Sequence, residues 1–152
     1  MTTTERRAAE RSSDRRRAPR GGRRQTDTPG RHPIVLVADA DHGARRPCVR
    51  YLIRRGFLVG EANGGVEAAS AIMMMRPRIV LVDAALPAAR SFLPSIREAG
   101  IPMIVMTTDF MEPATHAAGL LIKPFPLETM LTEVRRVLHL LDRADDDVPG
   151  RA

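Results

Sequence analysis

The 152-residue sequence predicts an α/β fold, a parallel sheet covered by helices on both faces. Two observations carry this expectation. Short apolar runs rich in β-branched residues recur, and each stops on a polar residue. Residues 34–38 run into Asp39-Ala40-Asp41, residues 79–82 into Asp83, residues 103–106 into Thr107-Thr108, and residues 120–122 into Lys123-Pro124. Apolar runs without in-and-out alternation belong to strands buried on both faces. Between the runs lie segments with helical spacing, and alternating strand and helix signals mark a parallel sheet.

Taken in order, residues 1–32 form an Arg-rich arm. Arg6-Arg7, Arg15-Arg16-Arg17 and Arg23-Arg24 are separated by acids, Pro19, Gly21-Gly22 and Pro29-Gly30. So little apolar surface cannot offset the entropy of ordering, and the arm is expected to be disordered. The folded part, residues 33–141, begins with the first strand. Cys48/Val49 and Leu52/Ile53 then give an apolar helical stripe ended by Gly56. Pro47 is awkward deep in a helix, which places the helix start near Arg45.

Residues 57–61 read as the second strand, Asn63-Gly64-Gly65 as a turn, and residues 66–75 as the second helix. Met73-Met74-Met75 cannot share one helical face, so mixed core and rim packing is expected. The third strand leads to Asp83, and a weak helix over residues 89–99 is interrupted by Pro94. After the fourth strand, residues 109–118 carry no clear signal, and residues 120–122 are the fifth strand. The last helix, residues 127–141, has the clearest period, with Leu127, Met130/Leu131, Val134, Leu138 and Leu141 on one face. Residues 142–152 are expected to be a frayed, disordered acidic tail.

The net charge of +6 is confined to residues 1–32, which hold ten arginines against four acids; residues 33–152 hold fourteen of each sign. Any attraction to nucleic acid therefore belongs to the arm, although no aromatic residue is interleaved there to stack on bases. Of 24 basic residues only Lys123 is a lysine, which marks a position that wants a compact ammonium on a flexible stem. The single cysteine, Cys48, excludes an intramolecular disulfide, fits a reducing cytoplasm, and lies on an apolar stripe as a small core residue. No run approaches membrane-spanning length, and no signal segment follows the N-terminal arginines. No nucleophile elbow, Gly-rich phosphate loop or zinc spacing is present, so the chain is not expected to be an enzyme in its own right.

In open α/β sheets, ligand chemistry collects at the carboxyl ends of the strands where strand order reverses. Asp83 is the candidate centre. The bland alternative, an acid that opens a loop or caps a helix, is weakened because three other strands also end on polar residues. Asp39 after the first strand, Asp83 after the third with Pro87 four residues on, Thr107 after the fourth, and Lys123-Pro124-Phe125 after the fifth resemble the receiver domain of two-component response regulators.

The resemblance implies a flavodoxin-like doubly wound five-stranded parallel sheet, strand order 2-1-3-4-5, with a shortened fourth helix. It implies a stand-alone receiver in a phosphorelay, with Asp83 as phosphoacceptor from a histidine kinase or phosphotransfer protein and signalling by protein–protein interaction. Lys123 would pair with a phosphoryl oxygen, Thr107 would hydrogen-bond another, and Lys123-Pro124 would be cis. Mg²⁺ would be held by Asp39, Asp83 and the backbone carbonyl of Ala85, with Asp41 as a possible stand-in for a second acid. Three departures stand out. Ala40 replaces that acid, so magnesium affinity is expected to be reduced. The segment between Thr107 and Lys123 is short. Leu120 replaces the aromatic residue of the usual output switch. A phosphorylation-independent docking module and a nucleic-acid tether through the arm are the alternatives.

Overall fold

A computed structural model describes residues 34–109 and 116–147. The Arg-rich arm, the shortened fourth helix expected after the fourth strand, and the last residues of the acidic tail lie outside the described residues. Five strands form one parallel sheet in the order β2-β1-β3-β4-β5: β1 (Ile34–Ala38), β2 (Leu58–Ala62), β3 (Ile79–Asp83), β4 (Met103–Thr107) and β5 (Gly119–Ile122). Among the described residues four helices connect or follow them: α1 (His42–Arg54), α2 (Gly65–Met75), α3 (Ala89–Ala99) and α4 (Leu127–Asp146). The strand order reverses between β1 and β3, so a crevice opens at their carboxyl ends.

The central strands are apolar on both faces because both faces are covered. Val35, Val37, Ile79, Leu81, Ile104 and Met106 pack with Cys48, Leu52, Met130 and Val134 from α1 and α4. Leu36, Ala38, Val80, Val82 and Val105 pack with Ala68, Ile72, Phe92 and Ile96 from α2 and α3. Each fully buried aliphatic side chain contributes about 1.5–3 kcal/mol relative to exposure. Asp39 and Asp83 continue the alternation of Val35/Val37 and Ile79/Leu81, which places both acids on the α1/α4 side of the sheet.

The structure corrects several boundaries. α1 starts at His42, not near Arg45, because the Asp41 carboxylate accepts the backbone N–H groups of Gly43 and Ala44 at 2.8 and 3.4 Å and opens the helix there. Pro47 then sits inside α1 on its exposed side, without an N–H to bond the preceding turn. α4 runs on to Asp146, so residues 142–146 are helix and not tail. Arg78 holds Asp142 at 2.7 Å, and Val137 joins the buried face that the sequence period left out.

β2 is shifted by one residue at both ends, and α2 and β5 each begin one residue earlier than expected. The methionine run is less buried than expected: Met73 and Met74 are 78% and 86% exposed, and only Met75 packs, against Gly60. The N-terminus of α2 approaches the β3–α3 segment so closely that a Cβ on Gly65 would overlap the carbonyl of Ala88. Ala88 itself is left-handed at φ 57°.

Candidate functional site

Register alone brings four of the expected residues to one rim. Ala38 pairs with Val82, Asp83 with Met106, and Thr107 with Ile122, so Asp39, Asp83, Thr107 and Lys123 all stand at the carboxyl ends of adjacent strands. Backbone hydrogen bonds continue past the strands, from Ala84 N–H to Met106 O at 2.8 Å and from Lys123 N–H to Thr107 O at 2.8 Å. These bonds hold the loops that present the side chains.

Lys123 reaches across the sheet to both acids. Its ammonium donates to Asp39 Oδ2 at 2.7 Å and lies 3.3 Å from Asp83 Oδ1. The side chain of Asp39 is only 2% exposed, against 17% for Asp83 and 19% for Lys123. The buried acid is thus the anchor, and the two more accessible groups face the opening. Burial works against the charged lysine, but the hydrogen bond and negative charge of Asp39, joined by the charge of Asp83, outweigh it and raise the Lys123 pKa above its ordinary value. Lys123-Pro124 is cis, as the resemblance implied.

Asp39 is held on every side. Its Oδ1 accepts the Asp41 N–H at 2.9 Å, and its carbonyl accepts from Arg45 Nη1 at 2.6 Å. Arg45 also donates from Nε to Glu61 at 3.1 Å, and Arg46 donates to the other oxygen of Glu61 at 2.7 Å. Sequence reasoning missed this Arg45–Glu61 brace. In a chain with 23 arginines, no single arginine stands out by type, and the partner lies on another strand.

Two expected residues do not join the cluster. Thr107 Oγ1 is engaged with its own loop, accepting from Asp109 N–H at 3.2 Å and donating to Asp109 O at 3.3 Å. Asp41 caps α1 through its Oδ1, which accepts from Gly43 and Ala44 N–H. Among the described residues no group of three His, Cys, Asp or Glu side chains converges to hold a metal ion.

A hard divalent cation such as Mg²⁺ needs only one or two carboxylates when water and phosphate oxygens supply the rest. Asp39 and Asp83 meet that minimum, and Leu86 N–H to Asp83 O at 3.0 Å closes a turn directly after Asp83. The donor set therefore fits such an ion sparsely, with Ala40 offering no oxygen from its side chain.

Comparison with known proteins agrees with this geometry. No family model matches the chain. The response regulator MprA of Mycobacterium ulcerans (strain Agy99) is 31% identical across 74% of this chain and 53% of its own length. MprA of Mycobacterium avium (strain 104) is also 31% identical, across 74% of this chain and 54% of its own length. Among solved structures, the chemotaxis response regulator CheY4 of Vibrio cholerae superposes with a TM-score of 0.63 at 27% identity, covering 70% of this chain and 98% of CheY4. The signal receiver domain of a putative Luxo repressor protein from Vibrio parahaemolyticus, 20% identical, shares the fold with a TM-score of 0.68 over 79% of this chain and 99% of that one.

The fold is thus that of the CheY-like receivers. The chain carries a response regulator receiver domain, the class of module used in two-component signalling, and spans about half the length of the curated relatives it matches.

Proposed function

We propose that Asp83 accepts a phosphoryl group from a phosphohistidine of a sensor kinase or phosphotransfer protein, and that the domain passes the signal on by binding another protein. The observation that supports this reading most is the convergence of Lys123 on Asp39 and Asp83 at a rim that is partly open. An oxygen of the Asp83 carboxylate attacks phosphorus, the bond from phosphorus to the imidazole nitrogen breaks, and the departing nitrogen takes up a proton. The product on this chain is an acyl phosphate.

Phosphoryl transfer needs alignment and neutralisation of spreading negative charge more than covalent help. Lys123 supplies a compact cation already within 3.3 Å of the nucleophile. Asp39, fixed from behind by Arg45 and by the Asp41 N–H, keeps that ammonium on station. Mg²⁺, held by Asp39, Asp83 and the Ala85 carbonyl, would supply charge neutralisation for the phosphoryl oxygens when bound. Thr107 reaches a phosphoryl oxygen only after its hydroxyl leaves Asp109. In this reading the domain is a cytoplasmic phosphoryl acceptor and not an enzyme in its own right. No helix among the described residues is long and apolar enough to cross a membrane.

The phosphorylation-independent docking reading has its own support. Ala40 offers no side-chain oxygen, and among the described residues no three acid, His or Cys side chains converge to hold a metal. Incubating the chain with acetyl phosphate and Mg²⁺ and measuring its intact mass separates the two. A gain of one phosphoryl group that disappears in Asp83→Asn supports phosphoryl acceptance, and no gain at saturating magnesium rejects it.

A further inference from the structure

A cavity of about 450 Å³ opens on the α1/α4 side of the sheet, next to the acid–lysine cluster but apart from the phosphoacceptor. Pro47, Cys48, Met106, Phe125 and Leu127 form its walls, and Asp39 and Lys123 border its polar end; Asp83 does not line it. This volume falls in the range of small-molecule sites, roughly 300–1,000 Å³, and equals about fifteen water volumes. Apolar walls with a few convergent polar groups are the usual make-up of such sites.

From these features we infer that the cavity is a binding site for a small, neutral, largely apolar molecule bearing one hydrogen-bond acceptor, such as a medium-chain ketone or lactone. The polar end dictates the head group. An ammonium has three N–H donors, and Asp39 and Asp83 engage Lys123 at 2.7 and 3.3 Å, which leaves one donor for a ligand oxygen. Two carboxylates against one ammonium give the cluster a net charge of −1. A carboxylate head would bring a third negative charge to a single cation, whereas a carbonyl accepts the bond without adding charge. The walls suit a flexible chain: Met106 adapts to its neighbours, and Phe125 and Leu127 supply broad apolar surface.

The inference stands apart from phosphoryl transfer, which its test does not read. The chain is labelled at its methionine methyl groups, the Met106 signal is identified by its loss in Met106→Leu, and nonan-2-one is titrated in. The expected result is a saturable shift at Met106 with the exposed Met73 and Met74 signals unmoved. Nonanoate should bind at least about tenfold more weakly, because of the unbalanced negative charge. Ala44→Phe, at the cavity rim on α1, and Cys48→Leu, in its wall, should each abolish the shift. Preserved signals from the buried Met103 and Met130 report that each variant is folded; if Cys48→Leu loses them, Ala44→Phe decides. No saturable shift at Met106, an equal response at Met73 and Met74, equally tight nonanoate, or a shift that survives in the folded blocked variants would overturn the inference.

Discussion

Replacing Lys123 with Met keeps the stem and removes the ammonium, which isolates a negative charge in the interior. The Asp39 carboxylate is 2% exposed and takes its Lys123 bond at 2.7 Å. At an effective dielectric near 20, that contact and the 3.3 Å contact to Asp83 are each worth about 5–6 kcal/mol of Coulomb attraction, most of it replacing lost hydration. Breaking a buried pair by removing one partner costs about 3–5 kcal/mol. Lys123 and Asp83 are 19% and 17% exposed, which lowers the expected loss to about 2–4 kcal/mol.

Urea unfolding followed by circular dichroism at pH 7 measures this loss at unchanged slope. In the Lys123→Met/Asp39→Asn double variant the stranded charge is gone, and about 2 kcal/mol of the single-variant loss should return as coupling energy. A loss below about 1 kcal/mol in Lys123→Met, or strictly additive effects in the double variant, would refute the assignment of Asp39 as a buried partner of the lysine.

Three further outcomes follow from the same geometry. Gly65→Ala places a methyl against the Ala88 carbonyl, so backbone must move; a loss of about 1–3 kcal/mol in urea unfolding is expected, while Ala88→Gly should stabilise by up to about 1 kcal/mol. Asp41→Ala removes the α1 cap and should cost about 1 kcal/mol while leaving Mg²⁺ affinity by calorimetry unchanged; a large drop in affinity would restore Asp41 as a ligand. Burial, and then the charge of Asp39, raise the Cys48 thiol pKa, and the Lys123 pKa is raised as well. Groups whose folded pKa is raised give stability that is complete below their unfolded values, about 8.5 and 10.4, and lost as pH rises through the folded values. Melting temperature should therefore fall as pH is raised beyond about 8.5, with the cysteine part of that fall missing in Cys48→Val.

The architecture was readable in the chain because its signals are local. Runs such as Ile79-Val80-Leu81-Val82 are apolar without alternation, and the period of α4 shows most of the face it buries. The rim residues were readable because four apolar runs each end on a polar residue, and because Lys123 is the one lysine in an arginine-rich sequence. What escaped depends on contacts between distant segments or on competing local bonds. The Arg45–Glu61 brace joins a helix to a neighbouring strand end. The capping role of Asp41 escaped as well, because it rests on the N–H groups of Gly43 and Ala44 turning back onto Oδ1. Pro47 argued for a later helix start, but a good cap outweighed it. The exposure of Met73 and Met74 follows from where α2 faces solvent, which a run of three identical residues does not reveal.

The central claim, that Asp83 is a nucleophile served by Lys123 and Asp39, is tested most directly by transfer of label from radioactive acetyl phosphate to the chain at saturating Mg²⁺, with release by hydroxylamine as the mark of an acyl phosphate. The account predicts hydroxylamine-labile label in the unaltered chain, none in Asp83→Asn, and much slower labelling in Lys123→Met. Absence of label in the unaltered chain, or label that persists in Asp83→Asn, would contradict it.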